Sequence, residues 1–123
     1  MNKAAIDAYI PYAYDAINEV KIVGDDGTVN KAFRGQISTF GAAITMGSPV
    51  SAIAFFSDRG GAAVDRTLIL KAIIKILAKA TKKKEANSGI SVLLNYDKEE
   101  IINAAIALKL AMNLYRLEEK ERK

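Results

Sequence analysis

No cysteine and no histidine occur in this chain of 123 residues, and tryptophan is missing as well. Without them there are no disulfides, thiolate nucleophiles, imidazole general bases or favoured zinc ligands, which excludes much of enzyme chemistry. Charge is missing from one long stretch: the 23 residues from Gly35 to Ser57 carry none. That is long enough to cross a bilayer, but a spanning helix is dominated by large apolar side chains. This stretch holds Gln36, Ser38, Thr39, Thr45, Ser48, Ser51, three glycines and Pro49, so it reads as two helices of a folded domain with no membrane role. The first twenty residues mix acids and tyrosines and lack the continuous apolar core of a signal peptide, so a cytoplasmic location is expected.

Half of the chain is apolar, enough to bury one core, and its length fits a single domain over residues 1–123. Net charge is +4 and unevenly placed: residues 1–60 hold five bases against six acids, and residues 61–123 hold thirteen against eight. Between Arg66 and Lys84 seven bases occur without an acid, a concentration that points to a polyanionic partner.

Apolar spacing predicts an all-α fold, a compact bundle of about five helices. A first helix spans Ala4 to Val23 through Ile6, Tyr9, Ile10, Ala13, Ile17 and Val20. Pro11 within it predicts either a kink near Asp7 to Pro11 or a start near Ile10. Gly24-Asp25-Asp26-Gly27 reads as a turn, since it lacks the alternating acids and distal Glu of a calcium loop. A second helix, Val29 to Met46 with Thr28 or Asn30 as cap, has Phe33, Ile37, Phe40 and Ile44 on one face. Ser38, Gly41, Ala42 and Thr45 lie on another, against which a neighbouring backbone is expected to pack, making this helix central. Gly41 to Gly47 has no Gly-Lys-Ser/Thr ending and is not a phosphate-binding loop. Ser48 and Pro49 open a short third helix with Ile53, Phe55 and Phe56 in the core, ended by Asp58-Arg59-Gly60-Gly61.

The fourth helix, from Val64 or Asp65 to Thr81, is apolar nearly all round except for Lys71, Lys75, Lys79 and Lys82, which fall within about 80° of one another. A solvated face usually mixes Glu with Lys; this ridge has no acid, and Lys82-Lys83-Lys84 carries it into a loop over Glu85 to Leu93. Asp97 and Glu100 form a capping box for the last helix. Along that helix Ile101, Ala105, Leu108, Met112 and Tyr115 make one apolar row and Ile102, Ile106, Leu110, Leu114 and Leu117 a second. Lys109, Asn113, Arg116 and Lys120 project within about 60° of each other, again without an acid, and the tail from Leu117 reads as a solvated end.

Catalytic patterns are absent. Asp25-Asp26, Glu99-Glu100 and Glu118-Glu119 are sequence neighbours that diverge on a helix or sit in an open turn, so they do not converge for acid-base work. No enzyme activity, cofactor, metal site or small-molecule substrate is expected. Basic side chains with few aromatics beside them suit phosphate contact better than base stacking.

The segment FRGQISTFGAAITMGSPVSAIAFFS, with a closing ALKLAMNLYRLEE, resembles the small subunit of the Cmr-type (type III-B) CRISPR RNA-guided effector complex. The likeness is carried by Arg34-Gly35, Ser38, Phe40-Gly41, Met46-Gly47 and residues 52–56, and extends in outline over nearly the whole chain. Ser48-Pro49 is a departure, since the family has an apolar residue after the glycine. The resemblance implies a non-catalytic helical subunit of antiviral defence, stacking with copies of itself and with other effector subunits along the duplex of guide RNA and target RNA. The nucleic-acid-binding residues it suggests are Arg34, Lys71, Lys75, Lys79, Lys82, Lys83 and Lys84. Lys109, Asn113, Arg116 and Lys120 would meet either RNA or a neighbouring subunit. The alternative is a helical protein-interaction module with acidic partners and no nucleic-acid role. Attachment to an anionic membrane fits less well, because the fourth helix lacks a broad polar face.

Overall fold

The computed structural model describes residues 1–58, 64–82 and 89–118. Five α-helices, α1 (Lys3–Glu19), α2 (Lys31–Met46), α3 (Pro49–Phe56), α4 (Thr67–Thr81) and α5 (Lys98–Met112), share one hydrophobic core. A 3-10 helix (Gly89–Asn95) precedes α5 and overlaps the stretch that the sequence predicts as a loop. Two short strands, β1 (Thr28–Asn30) and β2 (Arg116–Glu118), pair in parallel with Val29 opposite Leu117. The fold is the expected helical bundle, mostly-α instead of all-α because of this small ribbon.

α1 and α5 pack against each other, α4 closes on both, and α2 packs chiefly on α5. α1 is helical from Lys3, which overturns a start near Ile10. Asn2 accepts from the Ala5 N–H (3.1 Å), while its own N–H donates to Oδ1 of the buried Asn103 (3.0 Å). The turns before Pro11 are thus anchored at their start by Asn2, with Ile6 buried. Pro11 lies on the exposed face, where its ring meets water instead of a packed neighbour.

α1 stops at Glu19, short of Val23. The Ile22 N–H reaches back to the Ile17 carbonyl (2.9 Å) and Lys21 N–H to that of Asn18 (3.2 Å), with Lys21 at φ +68°. This is a Schellman ending, closed by the buried pair Ile17 and Ile22. It leaves Glu19 as the last helical side chain.

Asn30 caps α2 by accepting from the Ala32 N–H (2.8 Å), so the helix starts at Lys31; Val29 is committed to β1 instead. Phe33, Ile37, Phe40 and Ile44 are buried as their spacing predicts. The face of small residues is not covered: Ser38, Ala42 and Thr45 are exposed and line a groove of about 250 Å³ between α2 and α5, with Ile102, Ile106 and Lys109. α2 is therefore packed on one side and open on the other. Gly47 ends it with no room for a side chain, since a Cβ there would stand 2.9 Å from the Ala43 carbonyl oxygen.

Ser48 caps α3, accepting from the Ser51 N–H (3.2 Å). Ile53 and Phe56 are buried, and Phe56 meets Phe40 edge to face at 5.2 Å. Phe55 is not core: it is 58% exposed, with the Arg66 guanidinium 4.4 Å above its ring. Asp65 accepts from both the N–H (3.0 Å) and the hydroxyl (2.6 Å) of Thr67, so α4 begins at Thr67. Ile69, Leu70, Ile73, Ile76 and Leu77 of α4 are fully buried.

Candidate nucleic-acid interface

Burial of most of α4's circumference dictates where its lysines point. Lys71 and Lys82 are exposed, and Lys75 and Lys79 lie between them with side chains 31% and 40% exposed. Positions 71, 75 and 79 follow one another by about 6 Å along the axis. Lys82 stands past the helix end at φ +61°, its C-cap. Lys83 and Lys84 lie outside the described residues.

The ridge is not free of acid. Glu19, brought by the end of α1, takes a hydrogen bond from Lys79 Nζ through Oε2 (2.9 Å) and lies 3.7 Å from Lys75 Nζ through Oε1. The Lys79 hydrogen bond, aided by the charges of Lys79 and Lys75, holds the Glu19 carboxyl below its ordinary pKa. Among the described residues Glu19 thus meets two of the four ridge lysines, Lys75 and Lys79. Lys71 and Lys82 have no acid within ion-pair reach among the described residues. The partner was invisible to reasoning along one helix because it comes from another; the only sequence signal was an acid at the end of α1.

Arg34 projects from α2, which packs chiefly on α5, not from the ridge-bearing helix. It is partly buried, and its Nε has no hydrogen-bond partner among the described residues.

The second basic edge dissolves. α5 ends at Met112, and of the described members of that set only Lys109 is helical. Asn113 is the C-cap, Arg116 belongs to β2 opposite Thr28, and Lys120 is outside the described residues. Placing all four on one edge requires a helix that runs on to Lys120, but the chain turns after Met112 because other partners hold it. Tyr115 donates its hydroxyl to the Tyr14 carbonyl (2.9 Å) and stacks on the Tyr14 ring at 4.6 Å and 12°. Burial, with Tyr14 beside it, pushes the Tyr115 hydroxyl up to about 12. The second apolar row is broken as well: Leu110, still within α5, and Leu114 after it are exposed, while Leu117 reaches the core edge from β2. Lys109 instead lines the α2–α5 groove, and Arg116 lies near Asp26, whose carboxyl is lowered first by hydrogen bonds from Thr28 and only slightly by this arginine.

Asp25 and Asp26 line an open depression of about 410 Å³ with Ile22, Gly24, Thr28 and Asn30. One Asp26 oxygen is already taken by the Thr28 N–H (3.0 Å) and hydroxyl (2.7 Å), which makes this a structural turn. Among the described residues no group of three or more acids could hold a metal ion, and no helix is long and apolar enough to cross a membrane. No family model, curated protein or solved structure matches the chain.

Proposed function

We propose that the chain is a non-catalytic small subunit of a type III-B CRISPR effector complex, acting in the cytoplasm in antiviral defence beside other effector subunits and copies of itself. Its α4 ridge holds guide RNA and target RNA through their phosphates. The reading is supported by the resemblance of residues 33–57 and the closing helix to that family, and by the helical bundle. The observation that carries it is that α4 buries most of its apolar circumference and that its exposed residues are Lys71 and Lys79, with half-buried Lys75 between them one turn from each and exposed Lys82 beyond. Such a strip attracts phosphates at any sequence, in a salt-dependent way.

The contact with Glu19 favours one rival specifically: a ridge that already meets a carboxylate could dock an acidic protein. Reconstitution with type III-B subunits and target RNA separates the two. Lys71→Glu with Lys82→Glu avoids the Glu19 pairs and should leave the circular dichroism and melting of the isolated chain unchanged. In the complex it should reduce RNA retention at least tenfold. Unaltered RNA retention and assembly would refute the role of the ridge; lost assembly with unaltered RNA affinity would favour the acidic-partner reading.

A further inference from the structure

Glu19 is placed where a helix does not favour an acid. It is the last residue of α1, beside carbonyls that carry the negative end of the helix dipole. What holds its carboxylate is a pair of ammonium groups on another helix, one turn apart, each taking a different oxygen: Lys79 takes Oε2 at 2.9 Å and Lys75 takes Oε1 at 3.7 Å. The first distance is a hydrogen bond. The second is a looser ion pair. All three side chains are between 31% and 40% exposed, so an incoming anion can reach them from solvent.

A phosphodiester offers the same fork of two anionic oxygens as a carboxylate, and its charge does not depend on neutral pH. We infer that Lys75 and Lys79 form a single oxyanion site for a backbone phosphate, and that Glu19 is the displaceable anion that fills this site when nucleic acid is absent. Lys71 and Lys82 extend the site at either end, so that a strand drawn to the ridge competes with Glu19 at its middle. The carboxylate then serves two ends. It keeps two like charges one turn apart from repelling each other in the free protein, and it sets a threshold that weak, isolated anions do not pass. The inference rests on the phosphate-binding reading of the ridge and adds to it a displaceable internal competitor.

The test compares the full chain with Glu19→Gln, using a mixed-sequence single-stranded RNA and, separately, inorganic tripolyphosphate as probes. Removing the internal anion should tighten binding of both probes about three- to tenfold, the gain expected when two exposed ion pairs no longer have to be broken. Asp7→Asn, on the exposed surface of the same helix, changes net charge equally and should give less than about a twofold gain. In the Lys75→Gln/Lys79→Gln background the Glu19→Gln gain should vanish. Unchanged or weaker binding of both probes by Glu19→Gln overturns the inference, as does an equal gain from Asp7→Asn or a gain that survives loss of both lysines. If Glu19→Gln tightens tripolyphosphate but no variant binds RNA, the oxyanion site stands and the RNA reading falls. If the wild type binds RNA and Glu19→Gln tightens neither probe, the RNA reading stands and the displacement falls.

Discussion

α4 and the run that follows Met112 carry similar sequence patterns, apolar residues interrupted by evenly spaced bases, yet they take different structures. α4 stays helical to Thr81 because residues on most of its faces, including Ile69, Ile73, Ile76 and Leu77, are completely buried. After Met112 the described residues are held differently: Asn113 and Leu114 are exposed, the Tyr115 hydroxyl bonds the Tyr14 carbonyl, and the backbone pairs with β1. A regular row of charges on a helical wheel has meaning only as far as the helix runs. Where it does run, the row's charge is decided by neighbouring helices as well as by its own residues, as Glu19 demonstrates.

Stability measurements should reproduce the contrast. Ile73→Ala, in the enclosed part of α4, should cost about 2–5 kcal/mol in urea denaturation. Leu117→Ala, at the core edge, should cost about 1 kcal/mol or less, because only part of its side chain leaves water. Equal costs would mean that the C-terminal run is as deeply held as α4.

Tyr115→Phe keeps the ring stacked on Tyr14 and removes one hydrogen bond, so a loss of about 0.5–1.5 kcal/mol is expected. The wild-type hydroxyl also leaves a signature. Its folded pKa, about 12, exceeds the ordinary value of 10.0, so its contribution to stability is complete below pH 10 and is lost as pH rises through the folded value. Ultraviolet titration should show an ionisation step at about 12 in wild type, and Tyr115→Phe should remove that late step. A late step that persists would place the raised pKa elsewhere.

The smallest effect belongs to Glu19. Its folded pKa is lowered by Lys79 and Lys75, so its contribution to stability is present above the unfolded value and is lost as pH falls through the lower folded value. Glu19→Gln should flatten that acid limb slightly while changing stability at neutral pH by about 1 kcal/mol or less, as for exposed pairs. An acid limb identical in both proteins would show that the ion pairs are absent in solution.

Much of the bundle was legible because its signals are local. The Asp97–Glu100 capping box forms in both directions, Glu100 N–H to Asp97 at 2.8 Å and Asp97 N–H to Glu100 at 3.1 Å. Ser48 and Pro49 open α3, and the row Phe33, Ile37, Phe40 and Ile44 faces the core. The misreadings concern relations between distant residues. Phe55 has an apolar side chain on an apolar helix, but α3 turns it outward and Arg66 covers it. The small residues of α2 suggested a close neighbour, yet spacing cannot reveal whether a neighbour is there, and an open groove lies along them. β2 escaped notice because three residues pairing with a strand near position 29 look like the end of a helix when read in sequence. Of the candidate site, the ridge positions were readable from helical spacing, while the competing carboxylate was not.

The central claim is that α4, not the C-terminal run, holds RNA. RNA affinity of the reconstituted complex should be measured from about 50 to 200 mM salt with wild type, Lys71→Glu/Lys82→Glu and Lys109→Glu/Arg116→Glu. The account predicts that the α4 pair loses at least tenfold in affinity and that its log–log salt slope becomes shallower by about 1.4, two single-strand phosphate contacts at about 0.7 each. The C-terminal pair should lose less than about threefold, with its slope kept. Equal losses in the two pairs, or an undiminished affinity in the α4 pair, would contradict it.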